Sequence, residues 1–342
     1  MNRCTLFFWA GCLLLVSTVN AGISPRLALR EYDILRAFPA GRLAALSSGD
    51  QPDAQGFTGG NRADQRWNGA GAQRGSCRAV IAAVVADNLV AADDAWRGIE
   101  TTFAHQAVDG GFDAIAPYTR YAAAVETAYF FLQELGRAIL VIRESPHEAH
   151  FHARLVALEP KLRRASEYIL AGYGTIIPKV GHTVNRLIIA AKAFGTCGLV
   201  LGDARLLAAS HQLITHALTL RDSDGVFIER GGRDSSYNVV SILFGQILAL
   251  HVPLPEFEAA LPAAVAWQLT RILPNGEVMV TNNTRTGVGK EADRITGKTK
   301  DVNYTEVVYG LTLYGLIHHD AAVLAAADRV FAYRQNNLAA GK

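Results

Sequence analysis

Three polar clusters in this chain combine residue types that can hold an anion and move a proton. The first, Gly181-His182-Thr183-Val184-Asn185-Arg186, stands at the entrance of an apolar run. His182 and Asn185 are three apart and share one side if the turn is helical. A helix N-terminus there offers free N–H groups to an anion. The plainer alternative makes Thr183 a helix cap and His182 a loop residue. The second cluster runs from Asp224-Gly225-Val226-Phe227-Ile228-Glu229 through Arg230, Gly231, Gly232, Arg233, Asp234 and Ser235 to Tyr237. Asp234 or Ser235 is the natural cap of the helix that follows. Tyr237 then lies in its first turn, where its hydroxyl can face the loop; the plainer alternatives make it a tyrosine closing the apolar stripe and make Arg230 and Arg233 solvated surface or partners of Asp222, Asp224 or Asp234. The third is Asn282-Asn283-Thr284-Arg285-Thr286-Gly287, followed by Lys290, Arg294, Lys298 and Lys300, with only Glu291, Asp293 and Asp301 to offset them. A Gly- and Thr-rich basic loop suits a polyanion. It lacks the interleaved aromatics that stack bases, so no nucleic-acid partner is expected.

Metal-binding signals are weak. His147, His150 and His152 cluster without a Cys or carboxylate set at ligand spacing, and His318-His319 ends a helix. No P-loop, dinucleotide fingerprint or G-x-S-x-G is present. No cofactor and no metal are expected.

The elements that position these clusters read as helices. Apolar residues recur at three-to-four spacing over 76–107 (two helices broken near Ala91), 120–144, 148–171, 184–201, 204–220, 236–251, 256–271, 304–318 and 320–336. Short links between helices of ordinary length predict antiparallel hairpins. Pairs recurring at this spacing fit a toroid of stacked hairpins better than a single bundle. Residues 48–75 read as a mobile arm or long loop, and 108–119 as a loop. Residues 272–303 read as a long polar insertion with a short strand at Glu277–Thr281. The fold class is therefore all-α: an incomplete (α/α) toroid of helix hairpins in one domain, 22–342, carrying a long polar loop.

Residues 1–21 read as a cleaved secretory signal, with Arg3, an apolar run from Leu6 to Val19 and small residues before a cut after Ala21. Cys12 after Ala10-Gly11 is the competing hint of a lipid anchor. No later stretch reads as apolar enough to span a bilayer. The expected protein is a soluble monomer in a periplasm or outside the cell, with no membrane partner after cleavage. Cys77 and Cys197 then remain, more readily two buried thiols than a disulfide. The 342 residues carry 33 Lys and Arg against 31 Asp and Glu, and half are hydrophobic, which excludes a disordered chain.

Two of the clusters together resemble polysaccharide lyases of the α/α-toroid type. Thr183-Val184-Asn185-Arg186 is similar to the T-G-A-N-R segment of the hyaluronate, chondroitin and xanthan lyases. Asp224-Gly225-Val226-Phe227-Ile228-Glu229 is similar to their D-G-S-F-x-Q, and Tyr237 lies near the place of their catalytic Tyr. Arg230 stands where that family has a His, the Tyr segment is shorter, and no strand series for a β-sandwich follows. The chain thus looks closer to the compact alginate and glucuronan lyases.

The resemblance implies β-elimination at the 4-O-glycosidic bond of a uronate-containing polysaccharide, with glucuronan or alginate favoured. It implies that Asn185 meets the uronate carboxylate and that Tyr237 is the acid, or acid and base in a syn elimination. In an anti elimination His182 is the expected base. Arg233 or Arg230 adds charge at the carboxylate. Arg285 and Lys290, with Asn283 and Tyr304, complete the expected substrate contacts. The alternative is a glycoside hydrolase acting on uronyl oligosaccharides, with Asp109 and Asp234 or Asp113 and Glu126 as its carboxyl pair. A non-catalytic binder of acidic glycans is the remaining reading.

Overall fold

The computed structural model describes residues 29–115, 120–292 and 297–339. The expected signal segment, Arg294 and part of the 108–119 loop lie outside them. The described chain is all-α. Ten long helices form five antiparallel hairpins: α4 (Arg74–Val85) with α5 (Leu89–Ala104), α6 (Tyr121–Glu144) with α7 (Glu148–Ala171), α9 (Val184–Leu201) with α10 (Ala204–Leu218), α11 (Ser235–His251) with α12 (Pro255–Thr270), and α13 (Tyr304–His318) with α14 (Ala321–Ala339). The first helix of each hairpin packs on the first helix of the next, in the order α4, α6, α9, α11, α13. Four short helices were not foreseen: α1 (Glu31–Arg36), α2 (Arg42–Ser47), α3 (Gly59–Ala63) and α8 (Ile176–Val180). Each spans fewer than two turns, too short for a helical period to show.

Local chemistry sets the helix ends. Asn88 accepts a hydrogen bond from the Ala91 N–H and starts α5, which puts the predicted break slightly before Ala91. Asp203 caps α10, and Gly202, with positive φ, ends α9. Helix α9 corrects one expectation, since it is long and apolar enough to cross a bilayer, with a mean hydropathy of 1.5. It is 78% buried inside the fold, as a core helix touched by α6, α10 and α11. Cys77 on α4 and Cys197 on α9 are free buried thiols, and burial pushes the Cys197 thiol up to about 12.

The inner helices also bury charge. Lys192 of α9 is fully buried and donates to Gln133 Oε1 (2.6 Å) and Glu134 Oε1 (3.0 Å) of α6. Glu134 also pairs with Arg137, which reaches Glu31 of α1 and the Tyr309 hydroxyl of α13. Buried charges are tolerated only when paired in this way.

Two loop expectations need correction. Residues 48–75 are not a free arm. Asn61 Nδ2 donates to the Gly69 carbonyl, Gln73 Nε2 to the Gly56 carbonyl, and Asn61, Thr58 and Gln73 are buried. The polar residues that suggested mobility instead satisfy the loop's own backbone. In the 272–303 insertion the expected strand is reduced to a single bridge between Ile272 and Val278.

Helices α11 and α12 approach closely at Gly245, where an added Cβ would collide with the Phe257 ring. Gly245→Ala is expected to destabilise the protein by about 1–3 kcal/mol, the usual cost of overpacking. Urea unfolding of the variant checks this.

Candidate functional site

The three polar clusters, far apart in sequence, meet at the N-termini of α9 and α11. Glu229 is the meeting point. It opens a tight turn in which Arg230 and Gly231 both take positive φ and which closes at Gly232, and it bridges to Thr183. Its fully buried carboxylate accepts the Asn185 backbone N–H at Oε1 (2.7 Å) and Arg285 at Oε2 (3.0 Å). Burial pushes the Glu229 carboxyl up to about 7 against the pull of those two donors.

Asp234 makes the second join. One oxygen caps α11 through the N–H groups of Ser236 and Tyr237. The other accepts the N–H groups of Arg285 (2.8 Å) and Thr286 (2.9 Å). Asn283 locks the same seam through Ser235 and Thr286. The basic insertion is thereby fastened onto the start of α11.

This construction places the Arg285 guanidinium over the face of Tyr237, 3.7 Å from the ring centroid. Arg285 is 1% exposed and also bonds Glu291 (2.8 Å). Lys300 reaches the other Glu291 oxygen (2.7 Å) and lies 5.9 Å from the Tyr237 ring centroid. Burial opposes the charge on Glu291, but the hydrogen bonds from Arg285 and Lys300 outweigh it and hold the carboxyl at about 2. Burial pushes the Tyr237 phenol up to about 12, with Arg285 pulling it down. Tyr237 is therefore protonated at pH 7.

Tyr237, Asn185 and Arg285 share a cleft of about 450 Å³ with Arg74, Arg186, Gln133, Lys300 and Glu306. Asn185 is buried, and its Oδ1 has no hydrogen-bond partner. An orphaned acceptor of this kind costs stability unless a donor such as a sugar hydroxyl uses it. Arg186 is anchored by Glu126, which also holds Lys179. Glu306 is half-buried. Burial raises its carboxyl, while Arg74 and Arg78 draw it back.

Three expected residues, Tyr237, Asn185 and Arg285, come together in the cleft. The others stand outside its lining. His182 is exposed, and its carbonyl accepts the Arg230 N–H. Arg233 is spent on Asp222 and Asp224 and leans on Trp267. Arg230 is exposed and pairs with Glu291 (3.3 Å), and Lys290 is exposed. Asn283 is a buried loop fastener. Tyr304 packs at a tilt against Tyr333, with its hydroxyl accepting the Val278 N–H.

Of the carboxylates suggested for a hydrolase, Asp234 is used as a cap and Glu126 is ion-paired. Asp109 holds its own Gly111 turn and Asp113 faces His105. Nor does any group of three His, Cys, Asp or Glu side chains converge as a metal site among the described residues.

Sequence reasoning missed Arg74, Gln133 and Glu306, which come from α4, α6 and α13 and carry no local motif. Arg186, Lys298 and Lys300 stood inside the clusters already noted, and their common sign was the available signal. Comparison of the chain with protein-family models, with curated proteins and with solved structures finds no match.

Proposed function

We propose that this chain is a polysaccharide lyase that cleaves a uronate-containing polysaccharide by β-elimination, on an incomplete (α/α) toroid. In this reading the five hairpins form the toroid wall, and α1 and α2 span its open side. The observation that carries the activity is Tyr237 beneath the Arg285 guanidinium, beside the unsatisfied amide of Asn185, in a cleft lined by cations.

The C5 proton of a uronate is α to a carboxylate and only weakly acidic. Its removal needs preorganised donors and positive charge where the enolate forms. Asn185 Nδ2 and Arg186 donate to the carboxylate, the unpartnered Asn185 Oδ1 accepts a sugar hydroxyl, and Arg285 and Lys300 supply the field. In a syn elimination the Tyr237 hydroxyl first loses its proton to solvent, a minority state at pH 7 that Arg285 favours, and the phenolate then takes the C5 proton. The C5 electron pair becomes the C4=C5 bond, the C4–O bond breaks, and the same hydroxyl returns its proton to the leaving oxygen. His182, exposed and outside the cleft, has no part in this scheme. Glucuronan and alginate remain the favoured polymers, and export follows from the signal read at 1–21. No cofactor takes part.

A hydrolase acting on uronyl oligosaccharides is favoured by one observation: Glu306 is a half-buried carboxyl in the cleft with its proton affinity raised. Ultraviolet absorbance separates the two readings. The protein is incubated with glucuronan, alginates, hyaluronan, chondroitin and xanthan. Rising absorbance from a conjugated C4=C5 uronate is expected. New reducing ends without that absorbance would establish the hydrolase, and tight binding without any product would establish a binder.

A further inference from the structure

The cleft continues into a second lobe of about 280 Å³ between α2, α4, α13 and α14. The two lobes share Arg74, Phe244, Asn303 and Glu306 as common wall. Most arginines facing this space are matched by carboxylates. Arg78 is held by Asp50, Arg137 by Glu31 and Glu134, Arg186 by Glu126, and Arg285 by Glu229 and Glu291.

Arg74 and Arg334 differ. Arg74 donates to the Gly71 carbonyl and lies over Phe130. Arg334 donates to Thr305 Oγ1 (3.2 Å) and to the Ala45 carbonyl. Neither pairs with a carboxylate among the described residues. Burial lowers the proton affinity of both; at Arg74 the like charge of Arg78 adds to this and Glu306, without a direct ion pair, offsets part of it. Partly buried guanidinium groups without an anion are costly, and they carry spare donors in a fork that matches a carboxylate. Leu243 and Phe244 give the lobe an apolar wall suited to the C–H face of a pyranose, and Glu306 offers an acceptor for sugar hydroxyls.

We infer that this second lobe binds the neighbouring sugar acid of the same chain through Arg74 and Arg334, so that the cleft takes two consecutive acidic units. The inference rests on the reading of the cleft as a site for acidic glycans.

The test is calorimetric titration of the full chain with uronate oligomers of one to six units, alongside absorbance assays on the same oligomers. The wild-type protein is expected to gain affinity sharply between one unit and two. Arg334→Gln is expected to remove about tenfold or more of that gain, the scale of one lost charge-assisted hydrogen bond. Arg334→Lys, which keeps charge and packing, should lose part of it, and it serves if Arg334→Gln does not fold. Absence of a gain in the wild type, or a full gain in both folded variants, overturns the inference. Binding with this length dependence but no absorbance change leaves the subsite standing and removes the lyase. Absorbance change with unaltered length dependence in the variants does the reverse.

Discussion

Tyr237→Phe is expected to abolish most turnover while leaving the substrate bound. The hydroxyl is the proton carrier in the proposed elimination, and loss of a positioned acid or base costs about 10²–10⁴-fold in rate. The ring itself stays. A phenylalanine ring in that place would still lie under Arg285, so the fold and the cation–π contact survive. Purified variant and wild type should therefore differ in kcat with KM nearly unchanged. A variant with near-normal kcat removes Tyr237 from the chemistry.

The same group sets a pH dependence. Its phenol is pushed up to about 12 by burial. If the phenolate takes the C5 proton, the active fraction grows as pH rises, and the wild-type rate climbs through the neutral and alkaline range. A profile that is flat from pH 6 to 9 would assign the base to another group.

Arg285→Met should damage both stability and activity. Met fills similar space, so the loss is one of charge. Glu229, fully buried, then keeps the Asn185 N–H but loses its cation. Breaking a buried pair on one side costs up to about 3–5 kcal/mol where the remaining charge is stranded, and Glu229, already pushed up to about 7, sheds part of that cost by taking a proton. Glu291 also keeps only Lys300 and the more exposed Arg230, and Tyr237 loses the charge that favours its ionisation. Urea unfolding and kcat should both fall. Adding Glu229→Gln to Arg285→Met should restore part of the stability and none of the rate. Equal recovery of both would mean that Arg285 acts only through the loop's fold.

Much of the helical layout was legible because apolar spacing over many turns leaves one interpretation. The helices over 148–171 and 184–201 fall where the pattern puts them. The loops were less legible for a physical reason. Gly, Asn and Gln suggest a free arm at 48–75, yet the same side chains can bond their own backbone, as Asn61 and Gln73 do. In the site, Asn185, Tyr237 and Arg285 were found because each sits in a polar cluster at a helix start or in a basic loop. Arg74 and Glu306 were not, because only packing between distant helices brings them there. Arg233 and His182 illustrate the converse, since the local sequence offered pairing with Asp222 or Asp224 and a plain loop residue as alternatives but could not decide between these and a place in the site.

The seam between the ends of the chain has a consequence for the timing of synthesis. Each hairpin joins sequence neighbours and can form once its second helix has emerged. Short-range contacts of that kind close quickly. Helix α2 cannot settle in this way. Arg42 of α2 bonds Thr312 and Asp328 across almost the whole chain, and Arg334 of α14 reaches back to Ala45. Helix α2, made early, must wait for α13 and α14. The second lobe of the cleft is therefore finished only when both ends meet, and amide exchange in α2 should report its opening before the inner helices release any proton.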